Sequence, residues 1–321
     1  MILKKDFDIN LAKFGIHIPL GERIAIILEH LTSNYSDNIY YPKEFKDVGF
    51  TQDDLLLAHN YKYVESLWGH NLDQVMKICY ELEEYGDGPP CLDFGQLRDL
   101  ILREGFYTYQ GMKLALKNGF CYFLGGGMHH AMSFSGRGFC LINDVVIGAR
   151  KLMGENLIKT VWVLDIDAHK GDGTSEICHQ DTRFITLSIH MKNGWPFSGK
   201  NNCDPEMIPS NVDIPMDLHE ENLYLERLAQ GLNELKQISN TRPDLAIVVD
   251  GADPYIDDKL PGSAGIRLDK KQMLSRDQLV YHFLLGNKIP MLYVMGGGYG
   301  KQVGQIYIQF LDWLLKQRSD E

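Results

Sequence analysis

The stretch VWVLDIDAHKGDGT, residues 161–174, decides how the rest of the chain is read. Val161–Leu164 is a short apolar run with no polar interruption, as a strand buried on both faces requires. It breaks into Asp165, Asp167 and His169, then into the small residues Gly171 and Gly173. In an extended segment, a spacing of two puts three side chains on one face. The pattern recurs along the chain. Phe120–Leu124 runs into Gly125-Gly126-Gly127-Met128-His129-His130, Leu245–Val249 into Asp250-Gly251-Ala252-Asp253, and Met291–Met295 into Gly296-Gly297-Gly298-Tyr299; Phe184–Ile189 is a fifth run. Between them, Gly105–Asn118, Asn143–Met153, Glu220–Ile238, Lys270–Leu285 and Gln302–Leu315 carry helical periodicity, and Gly119 stands where a C-cap glycine belongs. Apolar strands alternating with helices predict an α/β chain with a mostly parallel central sheet flanked by helices. Residues 1–321 read as a single domain, in which the first hundred residues, helical and loop-like, wrap the sheet.

In such a sheet ligands bind beyond the carboxyl ends of the strands, so four chemically loaded strand ends converge on one rim. Asp167 and His169, joined by Asp253 from another strand end, offer two oxygens and an imidazole nitrogen to a borderline divalent ion such as zinc, with a position open for water. The bland alternative is a hydrogen-bonded strand terminus with Asp172 capping the next helix. A histidine held by a carboxylate is a competent general base near neutral pH, and Asp165 and Asp172 are candidate orienters for His129 and His130. A buried, backbone-satisfied histidine pair is the competing reading. Tyr299 can donate a hydrogen bond to a developing oxyanion, or simply pack. The glycine triplets lack both the Lys-Ser/Thr of a phosphate loop and the GxGxxG spacing.

The 321 residues are 44% hydrophobic and 23% charged, ordinary for a globular protein. With 32 basic against 43 acidic side chains, the net charge of −11 argues against non-specific binding to nucleic acid or anionic membranes and suits a cationic substrate. The six cysteines form no CxxC pair, the opening MILKKDFDINLAKFG lacks an apolar core, and no run approaches the ~18 apolar residues of a membrane span. A cytoplasmic protein with reduced thiols and no membrane span is expected.

Taken together, GGGMHHA (125–131), GRGFCLIND (136–144), VLDIDAHKGDGT (163–174), VVDGADPY (248–255) and MGGGYGK (295–301) resemble the zinc-dependent histone deacetylases, of the arginase–deacetylase fold. The resemblance runs from about His59, in AHNYKYV, to the C-terminus. The DAH tripeptide and RDQLVYHFLLGNKIPMLYVMGGGYGK are similar to the class IV branch. The resemblance implies one zinc per chain on Asp167, His169 and Asp253, the pairs His129–Asp165 and His130–Asp172, and Tyr299 as transition-state donor. It places Phe139, Trp195 and Gly138 along an acyl channel and Leu260 at its rim. It also implies a structural potassium ion at Asp165, Asp167, His169, Ser188 and Ile189. The implied reaction is hydrolysis of acyl-lysine in a protein or peptide, and the class IV likeness adds a preference for long fatty acyl groups. That preference needs apolar space beyond the metal, which the small residues Gly125, Gly126, Gly127 and Gly138 would leave.

Two positions depart from the family pattern. Lys170 stands where a second histidine is common, and strand alternation turns it away from the metal face; Asp250 replaces a usually uncharged residue and has no account in the sequence. Three rivals stand beside this reading. A dinuclear manganese ureohydrolase of the same fold would need a carboxylate where Gly171 stands. An acetylpolyamine amidohydrolase keeps the chemistry and changes the substrate. An inactive acyl-lysine reader would have no need of the ligands, bases and phenol that are all present.

Overall fold

In the computed structural model, which describes residues 1–319 except 21, 43, 44, 46, 47 and 202, the apolar runs become the strands of one sheet. They are β1 (Ile2–Leu3), β2 (Ile39–Tyr40), β3 (Phe120–Phe123), β4 (Val161–Asp165), β5 (Phe184–Met191), β6 (Val212–Met216), β7 (Leu245–Asp250) and β8 (Met291–Met295). The order is β2-β1-β3-β8-β7-β4-β5-β6, and every pairing is parallel. Parallel strands need crossovers, and helices supply them on both faces. Alternate residues of the interior strands feed two separate cores, whereas β6 contributes to one of them only. Val161 and Val163 of β4 with Leu245, Ile247 and Val249 of β7 pack toward helices Phe94–Asn118 and Asp144–Gly154. Trp162 and Leu164 with Ala246 and Val248 pack toward helices Tyr224–Ile238, Lys270–Gly286 and Val303–Ser319. Burying both faces is why these strands are continuously apolar.

Three strands depart from the sequence reading. β1 and β2 lie within the first hundred residues, which therefore extend the sheet as well as wrapping it; two residues are too few to show a period. β6 contains Pro215 and sits at the sheet's edge, where a missing N–H costs no ladder bond. Helix Phe94–Asn118 starts earlier than its apolar period suggests, because Asp93 caps it by accepting from Gln96 N. Gly119 closes it in the left-handed region, as expected. No helix among the described residues is long and apolar enough to cross a membrane.

The order β3-β8-β7-β4 makes the four loaded strand ends immediate neighbours. Asp165 is in register with Val249, and Asp250 with Met295, so the polar segments start at nearly one height.

Candidate metal centre and active site

Asp167, His169 and Asp253 are buried, and one donor atom from each lies within 4.8 Å of the others; among the described residues this is the one such group of three or more. His169 Nδ1 lies 2.9 Å from Asp253 Oδ2 and 3.2 Å from Asp167 Oδ1. The remaining carboxylate oxygens are fixed by backbone: Asp167 Oδ2 accepts from Gly297 N at 2.6 Å, and Asp253 Oδ1 from Ala168 N at 2.9 Å. The glycines of β8's rim have a steric reason. A Cβ on Gly297 would meet both Asp253 Oδ2 and Asp167 Oδ2.

Two buried carboxylates against one imidazole edge form a set that calls for a cation. Burial and the neighbouring Asp167 charge push the Asp253 carboxyl up to about 7. Burial opposes ionisation of Asp167 too, but the His129 and His169 charges win and hold it below its ordinary value. For His169, burial is outweighed by bonds to Asp167 and Asp253, which raise it. Oxygen, oxygen and nitrogen in a buried triad fit zinc. The second carboxylate of a dinuclear centre is absent from position 171, where a Cβ would run into Asp165 Oδ2.

The tandem histidines face this set. His129 Nδ1 is 2.6 Å from Asp165 Oδ2, and His130 Nδ1 is 2.7 Å from Asp172 Oδ1. Asp172 heads the next helix without capping it. Their environments push the imidazoles apart. Burial lowers His129, but Asp165 and Asp167 overcome it and lift the group to about 9. Burial and the adjacent His129 charge drive His130 well below the usual histidine range.

Gly127 N and Met128 N donate to Asp144 at 3.1 and 2.8 Å, and Thr108 Oγ1 donates to the same carboxylate, so the loop carrying both histidines is pinned from beneath.

Tyr299 is 7% exposed and its backbone N–H donates to Asp258 at 2.6 Å; Asp258 also holds Leu260 N. A channel of about 180 Å³ reaches this point between Phe139, Trp195, Leu260, Gly262 and Tyr299, with Glu81, Glu84 and Tyr85 also lining it. Trp195 stands edge-on to His130 at 4.4 Å and to His169 at 5.5 Å. Gly138, at φ +54°, makes room for it, since a Cβ there would strike the Trp195 ring. A larger cavity of about 800 Å³ opens from His129, His130, Asp167 and His169 toward the N-terminal segment. Gly126, Gly127 and Gly138 line it; Gly125 instead abuts Glu104 and Phe123.

Lys170 does point away: its ammonium is 3.3 Å from Asp213. Asp250 accepts from Arg276 and Tyr122, both at 2.8 Å. Ser188 is in register with Asp165 on β5, with Ile189 next in sequence. The sequence reading missed Asp258, Asp144, Arg137 (3.2 Å from Asp172) and Arg23, which donates to the carbonyls of Gly296 and Gly298. Arg23 lies 273 residues from Gly296, and no local signal joins them.

A model of the histone deacetylase domain matches residues 17–312. An uncharacterized protein of Picosynechococcus is 32% identical over 60% of this chain and 60% of its own length. The acetoin utilization protein AcuC of Staphylococcus aureus is 30% identical over 65% of this chain and 55% of its own. Histone deacetylase clr6 of Schizosaccharomyces pombe is 25% identical over 98% of this chain and 77% of its own. The chain thus spans little more than half the length of the first two. Because the family model runs through every strand from β3 to β8 and through each of the four loaded rims, this chain belongs to the histone deacetylase domain family.

Proposed function

We propose that this single catalytic unit, residues 1–321, is a zinc-dependent lysine deacylase. It would hydrolyse the amide between an acyl group and the ε-amine of lysine in a protein or peptide. The observation that carries this is the buried Asp167–His169–Asp253 set at the foot of an aromatic channel, faced by two His–Asp pairs. Bound there, zinc would supply Lewis-acid polarisation of the carbonyl and acidify a water. His130, oriented through Nδ1 by Asp172 at 2.7 Å, accepts the proton of the attacking water. His129, held through Nδ1 by Asp165 at 2.6 Å, is the proton source for the leaving nitrogen. Water adds to the carbonyl carbon, the C–N bond breaks, and the products are a carboxylate and a lysine amine. Tyr299 donates to the oxyanion. Phe139 and Trp195 flank the uncharged lysine stem and exclude water. A potassium ion beside Asp165 would stiffen the ligand strand, a reading supported by the Asp165–Ser188 register.

The acyl group points beyond the channel into the 800 Å³ cavity, whose walls include Ile9, Leu11, Ile16, Ile18, Leu20 and Leu28. Each methylene buried there contributes up to ~0.8 kcal/mol, so a fatty chain gains several powers of ten over acetyl before ordering costs. The test is kcat/KM for acetyl- and myristoyl-lysine on one peptide sequence. Myristoyl is expected to win; a clear acetyl preference would remove the long-chain reading and leave the deacylase. Glu81 and Glu84 in the channel lining favour a second reading, a small acylated polyamine with a cationic body. An acetylated polyamine in the same panel decides between them.

A further inference from the structure

Arg276, from helix Lys270–Gly286, is 1% exposed and uses both Nη atoms on the roots of the two ligand-bearing segments. Its Nη1 donates to Ile166 O at 2.9 Å and to Gly251 O at 2.7 Å. Its Nη2 donates to Asp250 at 2.8 Å and its Nε to Asp277 at 2.7 Å. Asp250 is braced in turn by the Tyr122 hydroxyl. Ile166 lies between Asp165 and Asp167, and Gly251 lies two residues before Asp253.

The position matters because the β4–β7 ladder stops here. Its register ends at Asp165 and Val249, and Ile166 N donates to Val249 O at 3.1 Å. Past that bond, Arg276 joins the two segments through one nitrogen, Nη1, which binds one carbonyl of each, while the rest of the planar fork is held in place by the Asp250 and Asp277 carboxylates. A shift at Gly251 passes straight to a ligand: a Cβ on Gly251 would sit 2.8 Å from Asp167 Cα. Asp250 and Asp277 supply the counter-charge that a buried guanidinium needs.

We infer that Arg276 is a positioning residue that sets the spacing between the Asp167–His169 segment and Asp253, and thereby the affinity for the metal. This rests on the reading of those three residues as ligands. Outer partners of this kind typically tune metal affinity by 10–100-fold.

The test is zinc titration of metal-stripped protein against a chromophoric chelator, with folding verified by a thermal transition. Two variants are compared with wild type and His169→Ala. Arg276→Lys keeps the charge but offers one nitrogen to the four acceptors that Nη1, Nη2 and Nε now divide; Arg276→Met combined with Asp250→Asn and Asp277→Asn removes the three charges together. Each folded variant should bind zinc about 10–100-fold more weakly. A purely structural role would lower the melting temperature and leave the affinity of the folded molecules unmoved. A folded variant within about twofold of wild type overturns the inference. Failure of wild type to bind zinc, or undiminished binding by His169→Ala, would instead strike the ligand reading on which it stands.

Discussion

At the scale of single residues, Tyr299 offers the narrowest substitution. Tyr299→Phe removes a hydroxyl at a position lining both cavities and keeps the ring that meets Phe139 at 6.2 Å. Metal content and KM should hold while kcat falls on the order of 10²–10³-fold, the usual cost of one oxyanion donor. Unchanged kcat would make Tyr299 a packing residue. Gly138→Ala tests the channel. At φ +54° the new Cβ is strained and lies 2.8 Å from His130 Cδ2. The displaced Trp195 and His130 should lower kcat/KM on the order of 10²-fold, as small misplacements of reacting groups do. The candidate donors and the two histidines were legible because they follow the ends of apolar runs, in a spacing that only a few chemistries use, whereas which carboxylate holds which imidazole was implied by the family resemblance. Arg276, Asp258 and Asp144 were not, because their partners come together only when distant segments meet.

At the scale of elements, the strands between helices could be read and the marginal ones could not. β4 and β7 are long, apolar and buried on both faces, whereas β1 and β2 have two residues each and gain their strand character only by pairing. His59, in the early AHNYKYV segment, shows how a loop element ties to the sheet's rim. Its Nδ1 donates to Met132 O at 2.8 Å, and its Nε2 accepts from Asn143 N at 3.0 Å, so only the neutral ring fits. Burial lowers its pKa from 6.5 to about 4. Between those values the unfolded chain holds the proton and the folded one does not, so stability rises with pH across the window and is lost on acidification. Over the full window this is worth about 3 kcal/mol. A His59→Leu variant should be less stable than wild type at pH 7 but show a flatter loss in denaturant titrations toward pH 4. An identical slope in both would show that His59 titrates normally.

At the scale of the whole molecule, one parallel sheet places a narrow aromatic channel and a wide cavity of mixed apolar and charged lining against the Asp167–His169–Asp253 set. On the proposed reading the substrate stem and the acyl chain would have separate housings, and the net charge of −11 would suit a basic polypeptide outside. The central claim is that hydrolysis depends on a metal held by Asp167, His169 and Asp253. The most direct measurement is the hydrolysis rate of an acyl-lysine peptide by chelator-stripped protein before and after one equivalent of zinc, with Asp253→Ala treated alongside. The account predicts no turnover in the stripped protein, full recovery at one equivalent, and no recovery in the variant. Full activity in protein verified free of metal would contradict it.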